Sequence, residues 1–233
     1  MNLEIEKDQV HVWQVHLNST SSHPMEITKA LSSDELEQAN KFKFPEDREH
    51  FILRRNQLRT ILSKYYGCQP REIIFRYNSY KKPFIYMPEL KRIKFNMSFS
   101  GDLMLVGISK HNDIGIDIEK VHEMHDLENI AFENFSSQEL KYLNGTLDIT
   151  NTFFKIWTRK EAFIKAKGEG IYHPLKSFCV DIKSSGSYEQ LVIFNHPAES
   201  KLWRTTEINT SSGYIASMAI NSHRFQILYF QLQ

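Results

Sequence analysis

Ile114-Gly115-Ile116-Asp117-Ile118-Glu119 is the stretch from which the fold can be read. Isoleucine holds every even position from 114 to 118, and Gly115, Asp117 and Glu119 hold the odd ones. That alternation predicts a strand with one apolar, buried face and one acidic face. Side chains two residues apart on a strand project to the same side at roughly 6–7 Å, so the two carboxylates share a face. Like charges that close raise each other's pKa. A divalent cation between them removes the penalty. Hard oxygen ligands suit magnesium, whose shell is completed by water and substrate phosphate. Manganese accepts the same octahedral oxygen set. The competing reading is an edge strand with a solvated acidic face.

The chain has 233 residues, enough for one large domain or two of about 110–120 residues each. Its apolar content of 41% supports a core. A net charge of +1 gives no global field aimed at nucleic acid or a membrane surface. Cys68 and Cys179 fit no metal or redox spacing and suit a reducing compartment. The polar, acidic stretch from Met1 to Val10 is no signal peptide, and no apolar run approaches the roughly 20 residues of a membrane span. These features predict a soluble cytoplasmic protein.

Working outward, Val10 to Leu17 reads as a first strand and Asn18 to Pro24 as a polar loop. Ser32 or Ser33 caps a short helix to about Asn40. Pro45-Glu46-Asp47 opens a long helix to about Tyr66, and Gly67 stops it. Arg48, Arg55 and Arg59 form a basic stripe on that helix, which reads as a solvated face. Ile73 to Tyr77 predicts a strand, followed by a loop through Lys82 and then Pro83. A hairpin is expected around Ser100-Gly101-Asp102. Beyond the Asp117 strand, two short helices are expected within 126–143, then a strong helix from Asn151 to Lys167, ended by Gly168. The remainder reads as five strands, near 178–182, 191–195, 203–208, 214–220 and 225–230. Strand, helices and strands thus occur twice. This predicts an α+β fold of two similar halves, 1–112 and 113–233.

In Trp157-Thr158-Arg159-Lys160-Glu161-Ala162-Phe163-Ile164-Lys165, positions 157, 161 and 165 share one helical stripe. Glu161 and Lys165 can be a plain i,i+4 ion pair worth about 0.2–0.5 kcal/mol. Alternatively, Glu161 completes a metal site with Asp117 and Glu119, and Lys165 neutralises a phosphate beside it.

The ordered set Phe95-Asn96-Met97-Ser98-Phe99-Ser100-Gly101, Ile114-Gly115-Ile116-Asp117-Ile118-Glu119 and Trp157-x-x-Lys160-Glu161-Ala162-Phe163-x-Lys165 resembles the 4′-phosphopantetheinyl transferases of the surfactin-synthetase-activating type. Asp47-Arg48, Arg55, Lys82-Pro83 and the 168–175 segment fall in the same order. The resemblance implies two α+β halves related by pseudo-twofold symmetry, with the active site in the cleft between them. It implies that the phosphopantetheine arm of coenzyme A moves to a serine of an apo acyl or peptidyl carrier protein, releasing 3′,5′-adenosine bisphosphate. Asp117, Glu119 and Glu161 would hold magnesium. Lys165 would neutralise pyrophosphate, Glu161 would take the serine proton, and Lys160 would support the same site. The first half would carry the adenosine and 3′-phosphate side, with Arg48, His50, Lys82, Pro83, Ser98 and Phe99 contacting the coenzyme. A single chain that builds its own cleft suggests a monomer.

The sequence departs from the family pattern at three places. Phe99 stands where histidine is usual and His50 where arginine is frequent, and Glu35 and Gln38 replace lysines found in some relatives. All three bear on the 3′-phosphate, and Phe99 predicts a looser discrimination against 3′-dephospho-coenzyme A. Two other functions fit the carboxylates and lysine: a magnesium-dependent nucleotide phosphohydrolase, and a binding module without turnover.

Overall fold

The structure, a computed structural model, describes residues 2–17, 28–87, 93–170, 173–181 and 189–232. The expected 18–24 loop and the end of the expected 178–182 strand lie outside the described residues. Strand β1 (Gln9–His16) precedes helices α1 (Ser33–Ala39) and α2 (Pro45–Tyr66). A small hairpin of β2 (Phe75–Tyr77) and β3 (Pro83–Ile85) follows, then a larger one of β4 (Lys94–Ser100) and β5 (Leu103–Ser109). Strand β6 (Ile114–Lys120) leads into α3 (Leu127–Asn134), α4 (Ser137–Asn144) and α5 (Ile149–Lys167). The remainder holds β7 (Phe178–Cys179), β8 (Glu189–Gln190), β9 (Val192–Ile193), α6 (Pro197–Ser200), β10 (Arg204–Glu207), β11 (Tyr214–Ile220) and β12 (Gln226–Gln231). The tail is therefore not all strand, because Pro197 opens a short helix at a first-turn position that tolerates its missing N–H.

Two four-stranded sheets organise the α+β fold, in the orders β12-β1-β5-β4 and β6-β11-β10-β8. The boundary expected at 112/113 falls between β5 and β6. The last strand crosses it: β12 pairs parallel with β1, Gln9 opposite Gln226 and Trp13 opposite Phe230. The two sheets meet where β4 lies beside β6. There Asn96 Oδ1 accepts the Ile116 N–H at 2.9 Å and Ser100 Oγ accepts the Lys120 N–H at 3.0 Å.

Alternation assigns each strand residue to a core. Leu103 and Leu105 join Ile114, Ile116 and Ile118 between the sheets, with Val10, Val12, Ala216 and Met218. Met104, Val106 and Ile108 turn the other way, onto Leu58, Ile61 and Leu62 of α2. Phe153, Phe163 and Ala166 of α5 pack against Ile215 and Ala219 of β11 in a third core. Each sheet thus carries one long helix on its outer face. Both helices stop at a left-handed glycine, Gly67 at φ 62° and Gly168 at φ 72°.

Gly115 fixes how closely α5 can lie on β6. A Cβ there would sit 2.0 Å from the Ala162 carbonyl oxygen and 2.3 Å from the Ala166 nitrogen. Both are backbone atoms of the helix that carries Glu161 and Lys165, so no side chain can swing aside. Gly115→Ala should force the helix off the strand, costing about 1–3 kcal/mol or more. It should also lower activity beyond what the lost stability explains, because Glu161 moves relative to Asp117. Thermal melting and turnover of the variant, compared below its melting transition, check both.

Candidate active site

The acidic face of β6 is not solvated. Asp117 is 2% exposed, closed in by β4 on one side and α5 on the other. Its Oδ1 accepts from Ser98 Oγ at 2.9 Å and from Lys165 Nζ at 2.6 Å. Lys165 Nζ also donates to Ser98 Oγ at 2.9 Å. Two residues along, Glu119 Oε2 accepts from Ser100 Oγ at 2.9 Å. Ser98 and Ser100 therefore repeat on β4 the two-residue period of Asp117 and Glu119 on β6. Ser100 is a site residue that sequence reading left without a role. Its equal spacing from Glu119, as Ser98 from Asp117, was the available signal.

Burial pushes the Asp117 carboxyl up against the pull of Lys165. Burial, and then the Asp117 charge, push Glu119 up. Glu161 is raised by burial, by Asp117 and by Glu119, with Lys165 opposing. Asp117 thus acts on both glutamates, and Glu119 acts on Glu161. Among the described residues no three His, Cys, Asp or Glu side chains form a ready-made metal centre. What the site offers instead is an orphan: Asp117 Oδ2 is buried with no hydrogen-bond partner. A buried oxygen left so is costly, and a cation facing it removes the cost. The donor set of anionic oxygens fits a hard cation and leaves most of its shell to water and substrate.

Lys160 does not join this group. It is 0% exposed, and its Nζ donates to Glu139 Oε1 at 2.9 Å, Glu139 Oε2 at 2.8 Å and the Phe178 carbonyl at 2.9 Å. Lys82 is also committed. Its Nζ donates to the carbonyls of Ala166 at 2.8 Å and Ile114 at 3.3 Å, tying the β2–β3 loop to the end of α5 and the start of β6. Burial lowers its pKa to about 8. A cleft of about 210 Å3 lies beside Lys82 and Pro83, bounded by Asn78, Lys94 and Asp113. Arg48 and His50 are exposed on the first turns of α2.

Two of the three arginines of the stripe, Arg55 and Arg59, are turned away from solvent, and Arg48 stays exposed. Glu35 is buried and takes Arg55 Nε at 2.6 Å and Arg59 Nε at 2.7 Å. Arg59 also donates to the carbonyls of Pro70 and Ile73. Phe99 is 45% exposed, and the Arg54 guanidinium lies 3.8 Å above the centre of its ring.

Comparison with known proteins places the chain in a family. The family profile described as 4′-phosphopantetheinyl transferase superfamily matches residues 113–219, and that described as 4′-phosphopantetheinyl transferase, N-terminal, matches 16–111. The 4′-phosphopantetheinyl transferase HetI of Nostoc sp. is 38% identical over 173 residues, 73% of each chain. The 4′-phosphopantetheinyl transferase Sfp of Bacillus subtilis is 34% identical, over 67% of this chain and 68% of that protein. The holo-[acyl-carrier-protein] synthase of Thermotoga maritima overlays with a TM-score of 0.39 at 16% identity, over 48% of this chain and 64% of that one. No described helix is long and apolar enough to cross a membrane. With the carboxylates of β6 and the lysine of α5 lying inside one matched segment, and a relative aligned over most of its length, the chain belongs to the 4′-phosphopantetheinyl transferase superfamily.

Proposed function

We propose that the chain transfers the 4′-phosphopantetheine group of coenzyme A to the serine hydroxyl of an apo acyl or peptidyl carrier protein, releasing 3′,5′-adenosine bisphosphate. The observation that carries this reading is the unpartnered Asp117 Oδ2 inside a group of three carboxylates, each pushed up by burial. Asp117, Glu119 and Glu161 would hold a magnesium ion, with manganese as an equivalent. Such an ion withdraws charge from the phosphoryl group under attack and stabilises the leaving phosphate.

The chain's own residues do the rest. Lys165 sits at the carboxylates with 30% of its side chain exposed, so its ammonium can meet an incoming pyrophosphate while still near Asp117. The Ser98 hydroxyl, which donates to Asp117, is placed beside that lysine. Glu161 would accept the proton of the carrier serine, directly or through a metal-bound water.

Incubation with coenzyme A, magnesium and an apo carrier protein, followed by weighing the carrier, tests the reading. A mass gain of one phosphopantetheine supports it, free phosphate without a mass gain points to a hydrolase, and no product points to a binding module. Lys165→Ala should weaken coenzyme A binding and slow turnover together, and it should also lower the melting temperature, because it leaves the buried Asp117 carboxylate without its countercharge. Calorimetric titration that finds native affinity and a native rate would return Lys165 to a simple ion pair.

A further inference from the structure

Side chains close the seam between the two sheets. Among the described residues no backbone ladder joins β4 to β6. Instead Asn96, Ser98 and Ser100, two residues apart on β4, all face β6. Asn96 accepts the Ile116 N–H, Ser98 bonds Asp117 and Ser100 bonds Glu119. Ser100 makes two bonds of fixed direction. Its Oγ accepts the Lys120 N–H at 3.0 Å, and a backbone N–H can only donate. The hydroxyl proton is left for Glu119 Oε2 at 2.9 Å. Ser98 is arranged alike, accepting from the Lys165 ammonium and donating to Asp117.

The two carboxylates are not held equally. Asp117 has Lys165 as well as Ser98. Among the described residues the Glu119 carboxylate makes no hydrogen bond other than that to Ser100, and its Oε1 stays open. A glutamate is also the longer and more flexible side chain, so ordering it only when a ligand arrives costs affinity. The Ser100 hydroxyl is itself well placed. Ser100 ends β4, Gly101 follows at φ 54°, and the Asp102 N–H donates to the Tyr214 hydroxyl at 3.4 Å. Tyr214 starts β11 and lies opposite Lys120. The turn is thereby tied to the strand that pairs with β6.

We propose that Ser100 is a positioning residue of the cation site: its hydroxyl holds one oxygen of Glu119 and leaves the other open to a divalent cation shared with Asp117. This rests on the cation site of the reading above. Ser100 acts through Glu119 and takes no part in the reacting bonds.

The test compares Ser100→Ala, Ser100→Thr and Asn96→Ala with the native chain. Manganese binding is read by paramagnetic resonance of the unbound ion, with and without coenzyme A, and turnover is followed as magnesium is raised. Losing a residue that orients a metal ligand costs about ten- to a hundredfold in metal affinity. Ser100→Ala should bind manganese more weakly by that factor, and its turnover deficit should narrow at high magnesium. Ser100→Thr keeps the hydroxyl and should restore most of both. Asn96→Ala loosens the same seam at Ile116 without touching a carboxylate, so it should lower the melting temperature and leave manganese affinity near native. Native manganese affinity in Ser100→Ala, or a loss that Asn96→Ala matches and threonine does not rescue, overturns the proposal, leaves the cation site standing and makes Ser100 a residue of the seam alone. A native chain that takes up no manganese under either condition overturns the cation site and this proposal with it. Manganese binding that depends on Ser100, in a chain that transfers nothing, sinks the transferase reading and upholds this one.

Discussion

Asp117→Ala is expected to abolish phosphopantetheinyl transfer while the chain stays folded. The aspartate is the point where three things meet: the Ser98 hydroxyl, the Lys165 ammonium and an oxygen with no partner at all. Removing it takes away one proposed cation ligand and releases Lys165 from its position. A loss of about a thousandfold in kcat/KM, about 4 kcal/mol of transition-state stabilisation, is the expected scale. Stability should move the other way or not at all. The folded-state pKa of Asp117 is raised by burial, so its ionised form at neutral pH opposes folding rather than supporting it. Asp117→Asn keeps an acceptor for Ser98 and should be as inactive, which separates the charge from the shape. The measurements are carrier mass against time and thermal melting at pH 7. Near-native turnover in an intact Asp117→Ala protein would remove the proposed cation site.

How much of this could be read in the sequence depended on whether the deciding contacts are local. The Asp117 strand was legible because isoleucine at 114, 116 and 118 has one period and one face, and all three are fully buried. Helix α2 was legible because Pro45 and Gly67 mark its ends. Helix α5 was legible for the same kind of reason, through Gly168. The return of β12 to β1 was not, because no local pattern says which of several alternating strands will pair across most of the chain. Glu35 appeared in the sequence as a lost lysine. In the fold it is the acid that consumes Arg55 and Arg59, so only Arg48 of the basic stripe faces solvent. Phe99 looked like a missing donor of hydrogen bonds, and in the fold it is the surface on which Arg54 lies. Lys160 was misplaced for a reason the sequence did contain. Successive helical residues turn by about 100°, so Lys160 lies some 140° around α5 from Lys165 and cannot share its face.

Lys160→Met is accordingly expected to damage the fold and spare the chemistry. The ammonium occupies all three of its N–H donors, on both oxygens of Glu139 and on the Phe178 carbonyl, over the Phe178 ring at 4.3 Å. Glu139 in turn accepts the Val180 N–H at 2.9 Å and the Ser136 N–H at 2.7 Å, so the pair joins the start of α4, the middle of α5 and the chain after β7. Removing only the lysine leaves a buried carboxylate with no countercharge, at a cost of about 3–5 kcal/mol. Removing both charges costs less, since a neutral amide at 139 keeps an acceptor for the backbone and needs no countercharge. Lys160→Met should therefore unfold at markedly lower denaturant concentration than the native chain. The double variant with Glu139→Gln should recover part of the difference. Assayed well below its melting temperature, Lys160→Met should retain most of the native kcat, whereas Asp117→Ala retains almost none. The two readouts are chemical denaturation and single-temperature turnover. A stable Lys160→Met protein that has lost its turnover would put the lysine back at the site of reaction and contradict its placement against Glu139.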